Sequence, residues 1–228
     1  MNIAYVVTED WLDKVKPSIA SLKRYNPEAR VFIVTDAEKI DIDAEHICVK
    51  DQEYFTERNC INYRTPFSVM ALIKVAYPDL LPVDKLIHLD ADTIVNDSLE
   101  DLWNMDLEGK WFAMVREWQG HFRPMGDRYY NAGVFVANLK QIREDGIMKE
   151  MIRFIREAPV PYGEQDAMNG YGLHHDKIID ADVRYNESFC CGYTDNPAII
   201  HYAGVVDWWD NTTMPRAEFL DYYRKVVS

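Results

Sequence analysis

Short apolar runs rich in β-branched residues alternate with helix-spaced patterns along this chain, and that alternation restricts the fold more than any other feature. Ile3–Val7, Val31–Thr35, Lys85–Leu89, Trp111–Val115 and Ala132–Ala137 read as buried strands, with His46–Val49 a weaker strand and Ala198–His201 a last one. Val15 to Tyr25 reads as a crossover helix with Val15, Ile19 and Leu22 on one face. A second helix is predicted from Pro66, a favourable first-turn position, to about Tyr77, ended by Pro78 and Pro82. Leu139–Glu157 is the longest predicted helix; Pro159 and Pro161 break it, a short helix starts near Glu164, and Arg216–Val226 is the last. The order implies an α/β fold, a mainly parallel Rossmann-like sheet with helices on both faces. A length of 228 residues with 48% hydrophobic content suits one such domain, and no linker or repeat divides it.

A formal net charge of −13 makes nucleic acid and anionic membranes poor partners. The cysteines Cys48, Cys60, Cys190 and Cys191 contain no CxxC pair, and a bridge between adjacent cysteines is strained. A reducing compartment is therefore expected. The N-terminal apolar stretch, Ile3 to Val7, is too short for a signal-peptide core. No segment reaches the roughly 20 apolar residues of a membrane helix. The expectation is a cytoplasmic protein with no integral membrane segment.

The most informative stretch for chemistry is Lys85-Leu-Ile-His-Leu-Asp90-Ala-Asp92, a buried strand running into two carboxylates. Positions two apart on a strand face the same way, so Asp90 and Asp92 can converge on one cation. Open α/β sheets bind ligands at the C-terminal ends of parallel strands. Oxygen ligands with spare positions suit Mg²⁺ or Mn²⁺ that also grips a diphosphate. The plainer alternative is an acidic turn ending a strand.

His88-Leu-Asp90-Ala-Asp92-Thr-Ile-Val95, followed by Leu99 and Trp103, resembles the metal-binding signature of the glycogenin and lipopolysaccharide-galactosyltransferase family. Those are retaining glycosyltransferases of the nucleotide-diphospho-sugar transferase (GT-A) fold. Tyr130-Asn-Ala-Gly-Val-Phe135, Glu164-Gln-Asp-Ala-Met-Asn169 and Ile200-His-Tyr-Ala-Gly204 resemble further family blocks, in the family's order. The resemblance implies a nucleotide-binding part over about 1–115 and an acceptor and catalytic part over about 116–228. It implies Asp90, Asp92 and His201 as metal ligands, usually for Mn²⁺, with Mg²⁺ the other candidate.

It further implies a UDP-sugar donor. Val6, Thr8 and Trp11 fall where the family holds the nucleoside, with Ala91 and Gly204 also on the donor side. Lys74 and Arg64 would supply positive charge to the diphosphate, and Asn131 with the backbone of Ala132 would contact the donor sugar. Gln165 would lie beside the anomeric carbon, Glu164 would hold a sugar hydroxyl, Asp166 would brace the loop, and Glu117 falls on the acceptor side. Structural alternatives accompany several of these: a satisfied strand-end histidine for His201, a staple beside a helix N-cap for Trp11, a solvated helix lysine for Lys74. For Glu164 and Asp166 the alternative is an acidic helix N-terminus complementing the macrodipole. His88 shares the strand parity of Asp90 and could support that carboxylate from behind, with a structural role as the other reading.

One departure stands out. The family's last block continues to a lysine that clasps the diphosphate, where this chain has Asp207, with Arg216 the nearest cation to replace it. Three readings follow: a transferase moving glucose or galactose to a glycan, glycolipid or protein hydroxyl; a non-catalytic sugar-nucleotide or glycan-binding module; and a nucleotidyltransferase, which lacks its glycine- and lysine-rich phosphate loop here.

Overall fold

The computed structural model describes residues 1–64, 68–118, 128–204 and 216. The expected helix Arg216–Val226 and the residue Asp207 therefore lie outside the described residues, apart from Arg216 itself. The chain opens with β1 (Asn2–Val7), α1 (Leu12–Tyr25), β2 (Arg30–Thr35) and β3 (Glu45–Cys48). Next come α2 (Val69–Leu72), a 3-10 segment over Ile73–Ala76, α3 (Tyr77–Leu80), β4 (Lys85–Leu89), β5 (Thr93–Val95) and α4 (Glu100–Trp103). The second half holds β6 (Phe112–Arg116), β7 (Tyr130–Asn138), α5 (Leu139–Asp145), α6 (Met148–Glu157), α7 (Glu164–His174), β8 (Ile178–Ala181) and β9 (Ile199–His201).

Seven strands form one sheet in the order β3-β2-β1-β4-β7-β6-β8, and β5 with β9 forms a separate two-stranded ribbon. All pairings in the large sheet are parallel except those of β7, which runs antiparallel to both β4 and β6. Alternate strand residues feed two cores. Ala4, Phe32 and Val34 pack on one face with Ile142, Met151, Ile155 and Met168 of α5, α6 and α7. Ile3, Tyr5 and Ile33 pack on the other with Val15, Ile19 and Leu22 of α1 and Leu102 of α4. Helices thus cover both faces, as the period-2 burial of a central sheet requires.

Two helix boundaries differ from the sequence reading. Gly146 takes a left-handed φ of 67° just after Asp145, ending α5 and splitting the expected long helix into two. The stretch before β4 is three short turns, and Pro78 lies inside the last of them instead of terminating a helix at Tyr77. Proline fits there because a first-turn N–H has no intrahelical acceptor. The four cysteines are free thiols. No helix among the described residues is long and apolar enough to cross a membrane.

Candidate functional site

Parallel pairing of β1 with β4 sets their C-terminal ends on one sheet edge, so the Thr8 loop and Asp90 leave the sheet side by side. Antiparallel β7 brings its N-terminal end to the same edge: Leu89 opposes Val134, and the Asp90 N–H donates to the Gly133 carbonyl at 2.8 Å. The ribbon supplies the third component. Thr93 of β5 opposes His201 of β9, and the Tyr202 N–H donates to the Asp92 carbonyl at 2.9 Å. The turn between Asp90 and Thr93 is tied from within, since the Thr93 hydroxyl donates to the Asp90 carbonyl at 2.8 Å and meets the Ser18 hydroxyl at 2.8 Å.

These pairings put His201 Nε2 3.3 Å from Asp92 Oδ1 and 3.8 Å from Asp90 Oδ2. The three side chains offer ligand atoms within 4.8 Å of one another, and no other such group occurs among the described residues. Two carboxylates and one imidazole fit a divalent ion of the oxygen- and nitrogen-binding kind. Burial opposes charge on His201, but Asp92 and Asp90 hold its imidazole above the ordinary range. Gly133 makes room for that ring. A Cβ there would meet His201 Cε1 at 2.0 Å, so any side chain at this position displaces the imidazole.

Lys74 is buried at 6% exposure, so it is not a solvated helix lysine. Its ammonium pairs with Asp90 at 2.8 Å and Glu164 at 2.9 Å and donates to the Ala132 carbonyl at 3.3 Å. Burial pulls against the charge, yet the two carboxylates raise the lysine above its usual value. Glu164, first residue of α7, is raised by its own burial in spite of Lys74. Burial works against the Asp90 charge too, but Lys74, His88 and His201 together hold its carboxyl well below the usual range.

His88 also touches Asp90. Burial and the Lys74 ammonium pull its imidazole down to about 4. Neutral at physiological pH, it donates from Nε2 to Asp90 Oδ1 at 2.9 Å and meets the Tyr77 hydroxyl at Nδ1, 2.7 Å away. Of the two readings of His88, the contact favours the one in which it supports and orients the aspartate.

The second half of the site is built from amides. Gln165 Oε1 accepts from the Ala132 N–H at 2.8 Å, and its Nε2 donates to Glu117 Oε1 at 3.3 Å. Glu117, buried just past β6, also accepts from Asn131 Nδ2 at 3.0 Å. Asp166 accepts from the Tyr129 hydroxyl at 2.7 Å and the Tyr162 N–H at 2.9 Å, fastening the segment ahead of α7 to the start of β7.

The residues expected on the nucleoside side lie at and just after the end of β1. Val6 is half-buried, and the Thr8 hydroxyl donates to Asp10 while the Glu9 N–H donates to Asp36 at 2.7 Å. Trp11 is half-buried against the α1-side core with the Lys14 ammonium 4.5 Å from its ring centre. Ala91 is buried between the aspartates, and Gly204 is exposed at the end of a described segment. Arg64 is not drawn into this cluster: it stands in solvent, ion-paired with Glu57. Arg216 is committed as well. Its guanidinium donates to buried Glu187 at 2.6 and 3.2 Å, which corrects its reading as a replacement cation for the diphosphate.

Sequence reasoning missed Glu187, Thr93 and Asn186. Asn186 is fully buried, donates to Asn131 Oδ1 at 2.9 Å, and meets His201 Nδ1 through its own Oδ1 at 2.8 Å. No local signal marks it, because its partners come from β7 and β9.

Known proteins share this fold. The galactosyltransferase LgtC, solved with donor and acceptor sugar analogs, superposes with a TM-score of 0.74 at 20% identity, covering 100% of this chain and 97% of LgtC. Among curated sequences, the Escherichia coli lipopolysaccharide glucosyltransferase WaaO is 23% identical, with 92% of this chain and 74% of WaaO covered. General stress protein A of Bacillus subtilis is 26% identical, with 67% and 64% covered. The chain spans about half the length of other curated relatives it matches, 44% of one from Haemophilus influenzae and 57% of GlyB from Streptococcus pneumoniae. The profile of Glycosyl transferase family 8 matches from residue 2 to residue 213, nearly end to end, and this chain belongs to that family.

Proposed function

We propose that this protein is a metal-dependent, retaining hexosyltransferase that moves glucose or galactose from a UDP-sugar to a hydroxyl of a glycan, glycolipid or protein acceptor. The observation that carries the reading is the convergence of Asp90, Asp92 and His201 from three separate strand ends beside Lys74 and Glu164. Asp90, Asp92 and His201 would hold Mn²⁺, with Mg²⁺ the second choice; the ion would neutralise charge on the diphosphate as it leaves.

The residues divide the remaining work. Val6, Thr8 and Trp11 bind the nucleoside, with Ala91 and Gly204 flanking the donor and Arg64 the outlying cation. Lys74 adds fixed positive charge on the sheet side, where preorganised charge contributes most. Glu164, Asn131 and the backbone of Ala132 hold the sugar, and Asp166 keeps α7 in register. Gln165 is a poor nucleophile, pinned between the Ala132 N–H and Glu117. This favours same-face attack over double displacement: the C1–O bond to the β-phosphate breaks with its electron pair on UDP, and the acceptor oxygen bonds to C1. The acceptor proton passes to the departing phosphate oxygen. Glu117 faces the acceptor side.

The test is UDP release from UDP-glucose and UDP-galactose with Mn²⁺ and a panel of acceptors. Gln165→Ala should lower kcat with little change in donor binding, since only contacts stronger in the transition state speed the chemistry. Tight UDP-sugar binding without any hydrolysis or transfer would favour a binding module, the reading to which Asp207 in place of the family's lysine points.

A further inference from the structure

The buried amides around His201 form a hydrogen-bond chain whose direction is fixed from one end. The Gly133 backbone N–H can only donate, and it donates to Asn131 Oδ1 at 2.9 Å. That atom is therefore the oxygen, and the amide nitrogen of Asn131 is the one that donates to Glu117. The Asn186 atom 2.9 Å from the same oxygen must then be its NH₂. Asn186 consequently turns its oxygen toward His201 Nδ1, 2.8 Å away, and that nitrogen must carry a proton. The lone pair of a neutral His201 is left on Nε2, the nitrogen aimed at Asp90 and Asp92.

We infer that Asn186 is a positioning residue for the metal site: it selects the Nδ1–H tautomer of His201 and fixes the ring plane, so that Nε2 is the ligating atom. The inference rests on the reading of His201 as a metal ligand. Several features favour a dedicated device over ordinary core packing. Asn186 has no exposure, both ends of its amide are used, and each neighbour in the chain, Asn131, Glu117 and Gln165, borders the proposed sugar subsite. The same chain joins the metal ligand to Gln165, so the imidazole and the glutamine amide are held in one frame. A metal-bound imidazole commonly donates its other N–H to an acceptor that orients it. Here a neutral amide does so, and its polarity is dictated by a backbone N–H on a neighbouring strand.

The test compares Asn186→Leu, which has no acceptor, with Asn186→Asp, which keeps one and loses the donor to Asn131. Mn²⁺ affinity is read without nucleotide by the electron paramagnetic resonance signal of free Mn²⁺, with His201→Ala as reference. Loss of such an orienting partner weakens metal binding by about 10–100-fold, which is expected for Asn186→Leu; Asn186→Asp keeps the acceptor for His201 Nδ1 but sets an oxygen against Asn131 Oδ1, and should lose clearly less than Asn186→Leu. Long-range ¹H–¹⁵N spectra with Zn²⁺ as a diamagnetic probe should show His201 protonated at Nδ1 in the wild type and Asn186→Asp. Should Asn186→Leu fail to fold, the wild-type spectrum and the Asp variant still decide the matter. Unchanged affinity in Asn186→Leu, equal losses in both variants, or a proton on Nε2 would overturn the assignment. Unchanged affinity in His201→Ala would instead overturn the reading of His201 as a ligand.

Discussion

Two histidines flank Asp90, and their surroundings differ in kind. His88 lies between a phenol and a carboxylate beside the Lys74 ammonium, with both ring nitrogens already engaged by Tyr77 and Asp90. His201 lies between a neutral amide and two carboxylates, with Nε2 turned to the aspartates and Nδ1 turned to Asn186. The first ring has no lone pair to give and orients the aspartate; the second turns Nε2 to the aspartates, as the proposed ligand role requires. The His88 flank, which includes Lys74 and Glu164, is held by ionic contacts, whereas on the His201 flank the ring is oriented by two uncharged amides, Asn186 and Asn131, whose direction a backbone N–H sets. Charge compensation and ligand geometry are thus assigned to opposite sides of one carboxylate.

The largest effect that would sharpen this contrast comes from the ionic flank. Lys74→Ala leaves buried Glu164 and half-buried Asp90 without their shared cation, and removal of one partner from a buried pair costs about 3–5 kcal/mol. Denaturant melts should show it, and a loss below about 1 kcal/mol, the range of exposed pairs, would mean the cluster is solvated. The amide flank should respond through geometry. Gly133→Ala forces the His201 ring aside, with an overpacking cost of about 1–3 kcal/mol and loss of metal-dependent stabilisation. Retained metal response in a folded Gly133→Ala protein would place the metal elsewhere.

A smaller effect is expected at the far end of the His88 flank. Tyr77→Phe leaves the buried His88 Nδ1 without its partner and should cost about 1–3 kcal/mol by thermal melting. Metal affinity should hold, because no ligand atom loses a partner. A large drop in metal affinity would instead make His88 part of the binding geometry, and the distinction between the two rings would fail.

The parallel half of the fold was legible in the sequence. The strands β1, β2 and β4 are short, mostly apolar runs, and their boundaries fall within a residue or so of the reading. The direction of β7 was not legible, because an apolar run buried on both faces looks the same either way. That reversal is what carries Asn131, Ala132 and Gly133 to the edge where Asp90 ends. The ribbon strand β5 has three residues after an acidic turn, too few to show a period, although it aligns His201 with the aspartates. Strand β8 was missed for the same shortness.

At the site, the Asp90–Asp92 pair and His201 were named from motifs, and the structure gathers them. The burial of Lys74 was not foreseeable from a lone lysine among apolar neighbours, since such a residue ordinarily extends to solvent. Arg64 shows the converse, a cation in a suggestive loop position that pairs with Glu57 at the surface. Asn186 and Glu187 act on partners distant in sequence, and a single chain carries no trace of such pairings.

On the proposed reading the nucleotide is held through a divalent ion bound by Asp90, Asp92 and His201. The most direct measurement is the thermal stabilisation of the wild-type protein by UDP, with Mn²⁺ and again in excess chelator. UDP at a hundredfold excess over its dissociation constant should stabilise the Mn²⁺ form by about 2.7 kcal/mol and leave the chelated form nearly unshifted. Equal stabilisation under both conditions would contradict the account.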